Sequence, residues 1–179
     1  MDYKEETKKS YNENVEFHSK RFAEALDLER RYEFSMFLDL LEGKRILDIG
    51  CGSGDHARYF TDHGLEVKGV DISSEMVRKC KEKELDAEVM DFEHLTFNDE
   101  SFDGVWAVSS LIHTPKENFP SILSKIKNVL KPGGVFFICM IEGEGEHFLD
   151  DKGFDTKRFM SCFKKDELEI HLKEQFKIL

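Results

Sequence analysis

The stretch ILDIGCGSGDHARYF, from Ile46 to Phe60, constrains the fold more than any other part of the chain. A short apolar run ends in Asp48 and Gly50. Gly52 and Gly54 follow at alternate positions, and then a segment with helical spacing. A glycine turn of this kind needs a strand that delivers the backbone to the edge of a sheet and a helix that carries it away. The rest of the chain repeats the alternation. RILDIG reads as a strand, DHARYFTDH as a helix closed by Gly64, LEVKGVD as a strand and SEMVRKCKEK as a helix. AEVMDF and FDGVWAV read as further strands, and a helix is predicted from Lys116 to Leu130. Its start is Thr114-Pro115-Lys116-Glu117, a capping box with proline at the first helical position. LKPGG is then a turn and VFFICMI an apolar strand. Strands that alternate with helices and are apolar on both faces predict an α/β fold: a doubly wound, mostly parallel sheet with right-handed crossovers.

The flanks read differently. Ser10-Tyr11-Asn12-Glu13 has the spacing of a capping box, and Phe22, Ala25, Leu26, Phe34, Phe37, Leu38 and Leu41 recur at helical spacing up to Gly43. At the other end KKDELEIHLKEQ reads as a helix and FKIL as the start of a strand. With 179 residues, the expectation is one domain, 1–179, with N-terminal helices over 1–42 and the sheet core over 43–179. Apolar residues make up 40% and charged residues 35%, as in a globular protein. The net charge of −11 argues against nucleic acid as a partner. No apolar run is long enough to cross a bilayer and no signal-peptide core follows the polar start, so neither membrane nor export is expected and the cytoplasm is. Cys51, Cys80, Cys139 and Cys162 form no C-x-x-C pair. Reduced, buried thiols follow from that, without a metal or redox role.

The ligand of the glycine turn can be argued from charge. A dinucleotide turn has the pattern G-x-G-x-x-G and rests a pyrophosphate on the helix N-terminus. Here Asp55 follows Gly54, where a carboxylate opposes phosphate, and Asp48 is a second acid just before the turn. A nicotinamide oxidoreductase is therefore disfavoured. Two acids suit a ligand with a positive centre, such as S-adenosylmethionine with its sulfonium and ammonium. At this point the chain resembles the class I S-adenosylmethionine-dependent methyltransferases, which have a Rossmann-like fold. LDIGCGSG looks like their first motif, VKGVDIS the second, AEVMDF the third, FDGVWAVSSLIHTP the fourth and VLKPGGVFFI the lead into the fifth strand.

The resemblance implies roles. Asp71, 21 positions after Gly50, would take both ribose hydroxyls. Ile72 and Met76 would flank the adenine. Asp91 would accept from the adenine amino group, with the Phe92 amide facing a ring nitrogen. Gly50, Cys51 and Gly52 would line the methionine part, with Asp48 near its ammonium. Ala107, Val108 and Ser109 would form the floor, and Tyr11 a lid. Methyl transfer from a sulfonium is an in-line displacement, for which the protein mainly supplies alignment. His113, at the C-terminal edge of the sheet, is the candidate catalytic base.

Fold and cofactor do not name the acceptor. A small molecule is expected, with S-adenosylhomocysteine as the second product. A protein acceptor, or a module that binds the cofactor without turnover, is the alternative. Glu142, Glu144, Glu146 and His147 follow the fifth strand and would give the substrate mouth an acidic rim. The resemblance also implies a seven-stranded sheet, and no residues remain after FKIL to complete it. The expectation is a shortened C-terminus lacking the seventh strand, in a monomer or a homodimer paired at the sheet edge.

Overall fold

The computed structural model describes residues 2–25 and 32–179. Leu26 of the expected helical pattern lies outside them. Three helices lead in: α1 (Tyr3–Glu13), α2 (Val15–Ala25) and α3 (Tyr32–Leu40). The cap of α1 is Asp2, whose carboxylate accepts from Lys4 N at 2.9 Å. Ser10 lies inside α1 and is fully buried, so the expected capping box at Ser10 is not formed. The helix starts a full two turns earlier, and the Ser10 hydroxyl is turned inward.

The core follows in the expected alternation: β1 (Arg45–Ile49), α4 (Asp55–Asp62), β2 (Glu66–Asp71), α5 (Ser74–Glu82), β3 (Ala87–Val89), β4 (Phe102–Val108), α6 (Phe119–Val129) and β5 (Leu130–Cys139). The five strands form one parallel sheet in the order β3-β2-β1-β4-β5. Strand order reverses between β1 and β4, which opens a crevice beyond their C-terminal ends.

Period two sorts the side chains onto two covered faces. Leu47, Ile49, Val105 and Ala107 pack with Ile122, Leu123 and Ile126 of α6. Ile46 and Trp106 pack on the opposite face with Phe34 and Phe37 of α3 and Phe60 of α4. Trp106 stacks on Phe137 of β5, with ring centroids 4.2 Å apart and planes 14° from parallel. Each fully buried Leu, Ile or Phe is worth about 1.5–3 kcal/mol, so this double layer anchors the sheet.

Three local readings change. The helix expected at Lys116 begins instead with a 3-10 turn, Lys116–Asn118, and α6 starts at Phe119 with Pro120 in its first turn. Thr114 is extended and buried, and its hydroxyl has no partner among the described residues, so it caps nothing. LKPGG lies within β5 as a register shift: Phe102 pairs with Leu130, while Gly104 pairs with Val135. The C-terminal segment holds an antiparallel hairpin that no periodicity announced, β6 (Glu146–Asp150) with β7 (Lys157–Ser161). β7 is buried at four successive positions, Arg158 to Ser161, so it lacks the alternation that marks a strand. Helix α7 (Lys165–Lys173) comes next. Residues 176–179 form no strand, correcting the reading of FKIL; the Phe176 ring packs on Phe136 of β5 at 5.1 Å. Among the described residues the main sheet has five strands and no seventh.

Candidate cofactor and acceptor site

Backbone geometry builds the floor of the site. Gly50 leaves β1 at φ +69°, and a Cβ there would lie 2.3 Å from Ser110 Cβ, so the turn passes against the β4 loop only as glycine. Gly52 continues with a positive φ, and its amide donates to Asp71 Oδ2 at 2.9 Å. Ser73 N donates to Asp71 Oδ1, also at 2.9 Å. The carboxylate at the end of β2 is thus fixed by two amides. Burial nevertheless outweighs those bonds and raises its pKa to about 6. Across the cleft Ser109 stands at φ +53°, a strained backbone for a non-glycine residue and one that often marks a functional site.

Together these turns form a cleft of about 330 Å³ at the C-terminal ends of the strands. Its walls include Gly50, Cys51, Gly52, Asp71, Ile72, Asp91, Phe92, Val108, Ser109 and His113, and Tyr11 reaches it from α1. Three expected residues do not line it. Ala107 is fully buried in β4, one residue too deep. Met76 is fully buried, because the chain turns at Ser73 to cap α5, leaving Ile72 as the apolar wall. Asp48 is buried beneath the glycine turn, and its Oδ2 has no partner among the described residues. Burial first, and the charge of Asp71 second, push the Asp48 carboxyl up to about 8. Cys51 and Cys80 are free thiols 3.9 Å apart; hydrogen bonding to Cys80 and burial hold Cys51 well above the usual thiol range.

The roof was largely illegible in the sequence. Tyr3, Lys4, Thr7, Arg21 and Phe22 line the cleft from α1 and α2, and Asp55 and His56 from the start of α4. Adjacency to the glycine turn could have found Asp55 and His56. Nothing local marks Tyr3 and Lys4. Lys4 Nζ lies 2.7 Å from Asp91 Oδ2 and 2.9 Å from Glu93 Oε2, and Tyr3 Oη donates to Glu93 Oε1 at 2.5 Å. Asp91, the expected adenine acceptor, is therefore engaged by the roof, and it also takes Glu93 N at 2.8 Å. Against burial, Lys4 and the Glu93 amide hold Asp91 below the usual carboxylate range.

Behind the roof, α1 is pinned to β7 by polar side chains. Phe159 N donates to Thr7 Oγ1 at 3.0 Å and Asn14 Nδ2 to Thr156 Oγ1 at 2.8 Å. Ser10 Oγ donates to Asp151 Oδ2 in a short bond. Arg158 Nε donates to Asp151 Oδ1 at 2.8 Å, and Arg158 Nη1 to Tyr11 Oη at 3.4 Å. Tyr11 Oη lies 2.8 Å from His113 Nε2, whose Nδ1 lies 2.6 Å from the Phe159 carbonyl. Both nitrogens of His113 are thus engaged. Burial depresses its pKa to about 4. In this arrangement His113 is held between Tyr11 and the Phe159 carbonyl.

The acids after β5 also miss the cleft. Glu144 pairs with Lys164 at 2.7 Å, Glu146 accepts from Lys116 N at 2.6 Å, and neither these nor Glu142 and His147 reach the site, so no acidic rim is formed. Among the described residues no cluster of His, Cys, Asp and Glu is gathered for a metal, and no helix is long and apolar enough to cross a membrane.

A parallel sheet with a glycine turn, a β2-terminal carboxylate and a cleft at the switch point defines a Rossmann-like nucleoside-binding fold. A family model for the methyltransferase domain matches residues 47–138, and the chain belongs to that family, the class I S-adenosylmethionine-dependent methyltransferases. Over 76% of its length it is 39% identical to the 27-O-demethylrifamycin SV methyltransferase of Amycolatopsis mediterranei, covering 55% of that protein. Over 70% of its length it is 31% identical to the sterol 24-C-methyltransferase of Schizosaccharomyces pombe, covering 36% of that protein. Among solved structures it is similar to the 1,6-didemethyltoxoflavin-N1-methyltransferase of Burkholderia thailandensis, bound to 1,6-didemethyltoxoflavin and S-adenosylhomocysteine. There the TM-score is 0.71 at 21% identity, covering 94% of this chain and 75% of that one. The chain thus spans only about a third to a half of these two curated relatives.

Proposed function

We propose that the chain binds S-adenosylmethionine in the cleft and transfers its methyl group to a small molecule. The observation that carries this reading is one cleft lined at once by Gly50 and Gly52, Asp71 and Asp91, from the ends of three adjacent strands. The residues suit the cofactor. Gly50 leaves a cradle that a Cβ would fill, and Asp48 keeps a buried acceptor oxygen without a partner among the described residues. Bound S-adenosylmethionine supplies a methyl group already activated on a positive sulfur.

Asp71 would take the ribose hydroxyls with its remaining lone pairs, and Ile72 and Phe92 the adenine faces. Gly50, Cys51 and Gly52 would line the methionine part. Asp48 would lie beneath the methionine part, near its ammonium, and that cation would favour the charged form of a carboxyl that burial otherwise pushes up to about 8. Val108 and Ser109 would bound the transfer region. Tyr11 would close the site from above and exclude water, and His113 would hold Tyr11 instead of abstracting a proton. The roof of α1 and α2 covers the cleft from above, which supports a small acceptor over a protein side chain. Calorimetry with S-adenosylhomocysteine and NAD tests the cofactor reading. Binding of the first alone is expected; tight NAD binding with no response to S-adenosylhomocysteine would overturn it. A methylation screen of metabolites then tests turnover.

A further inference from the structure

Helix α2 carries two ridges, because residues four apart on a helix are neighbours. Phe17 precedes Arg21 on one ridge, and His18 precedes Phe22 on the other, with the His18 and Phe22 rings 6.5 Å apart. Arg21 and Phe22 line the cleft. One turn back along α2, Phe17 meets Phe154 of the turn between β6 and β7, with ring centroids 5.1 Å apart. Both rings remain open to solvent, at 41% and 40% exposure. Exposed apolar groups that cluster, unlike single ones, mark a contact site. The Phe17–Phe154 pair is thus an apolar shelf that begins one helical turn from the cleft wall.

The charge at the inner end of this shelf is unmatched. Arg21 is exposed and has no ion pair or hydrogen bond among the described residues. The acids near it on α2 are engaged by lysines, Glu16 by Lys79 at 2.5 Å and Glu24 by Lys20 at 3.7 Å. Lys4, also in the cleft wall, is held by Asp91 and Glu93. Of the remaining acids in that wall, Asp55 pairs with Lys83 at 2.8 Å, and two amides hold Asp71. A guanidinium with its donors free suits one carboxylate, which it binds through two parallel N–H···O bonds. A second negative charge on the ligand would face a chain of net charge −11.

We propose that Arg21 and the Phe17–Phe154 shelf form the specificity site for the methyl acceptor, and that the acceptor is a flat apolar acid. Its ring lies on the shelf and its carboxylate on Arg21. The inference rests on the methyl-transfer reading above and names the substrate class of that cleft. Burial of the ring against two aromatic side chains supplies affinity. The carboxylate, held at the rim by a planar fork, fixes the orientation of the acceptor and how far it reaches into the cleft.

The probe is naphthoate, whose fluorescence reports binding, with naphthamide as its uncharged counterpart. Both are titrated into the protein saturated with S-adenosylhomocysteine. The acid is expected to bind about fivefold tighter than the amide, and Arg21→Gln to remove that preference while leaving the amide and S-adenosylhomocysteine unchanged. Phe17→Ser with Phe154→Ser, both at exposed positions, is expected to weaken acid and amide alike by about fivefold and to keep the preference for the acid. A preference that survives Arg21→Gln would overturn the proposal, and so would binding of neither probe or probes that ignore the two Phe→Ser changes. Weaker S-adenosylhomocysteine binding by Arg21→Gln would also overturn it, by giving Arg21 to the cofactor's own carboxylate. Failure of the unmodified protein to bind S-adenosylhomocysteine would instead overturn the cofactor reading, and the same probe titrations without it would still report on the shelf and Arg21.

Discussion

The sheet and its roof are held by opposite kinds of interaction. The sheet between β1 and β5 is fastened by apolar side chains on both faces, with Trp106 stacked on Phe137 at its centre. The roof of α1 and α2 is fastened to β7 by Thr7, Ser10, Tyr11 and Asn14, which reach Phe159, Asp151, Arg158 and Thr156. Apolar burial is non-directional and tolerates small shifts. A buried polar network is all-or-none, because each missing partner strands another buried group. The contrast suits a site that must keep a rigid floor and yet open to exchange its ligands.

The largest expected effect lies in the sheet. Trp106→Ala should cost about 3–5 kcal/mol, seen in denaturant melts as one cooperative loss. A small, local effect there would mean that the aromatic layer is not the anchor. In the roof, Asp151→Ala leaves Arg158 buried without its carboxylate, at a cost of about 3 kcal/mol. Hydrogen exchange should quicken in α1, α2, β6 and β7 while the β1 and β4 amides keep their protection. Uniform acceleration would erase the distinction between the two regions.

Ligand affinity sharpens it next. Asp71→Ala should weaken S-adenosylhomocysteine at least tenfold, since two charge-assisted hydrogen bonds are each worth about 1.5–3 kcal/mol. Asp62→Ala, on the far end of α4, should change nothing in the same titration. Equal affinities would remove Asp71 from the site.

Acid and base should also pull the regions apart. Asp48 and Asp71 titrate in the fold near 8 and 6, above the ordinary 3.8. The fold prefers them protonated, so the stability they contribute is full below about 4 and is lost as pH rises toward 8. His18 and His113 titrate near 4, below the ordinary 6.5. The fold prefers them neutral, so their contribution is full above about 6.5 and is lost as pH falls toward 4. Lowering pH from 7 to 5 should therefore quicken exchange in the roof relative to the sheet floor. The opposite order would contradict these assignments. The smallest effect expected is at the latch. Lys4→Ala removes two partly buried ion pairs, to Asp91 and Glu93, each worth about 1 kcal/mol or less, and stopped-flow release of S-adenosylhomocysteine should quicken only a few-fold. An unchanged rate would mean that α1 does not gate the cleft.

How much of this was legible in sequence differs between the same two regions. β1, β2 and β4 fall where RILDIG, LEVKGVD and FDGVWAV put them, because strand periodicity and glycine punctuation are local signals. The glycine turn with Asp71 also stands in one short βα unit, so its place at the strand ends followed from spacing. Ser10 was misread because its partner, Asp151, lies 141 positions away. The β6–β7 hairpin was missed because α1 and the turn at Leu111–His113 bury β7 on both sides and erase its alternation. Sequence alone therefore determined the doubly wound sheet, the glycine turn and the family, since each rests on residues close in the chain. Only the tertiary structure decided which side chains roof the cleft, that Asp48, Met76 and Ala107 lie behind its surface, and that His113 holds Tyr11. Those facts depend on hydrogen bonds and packing between segments distant in the chain, such as Lys4 with Asp91 and Tyr11 with His113, and no local pattern encodes a partner at that distance.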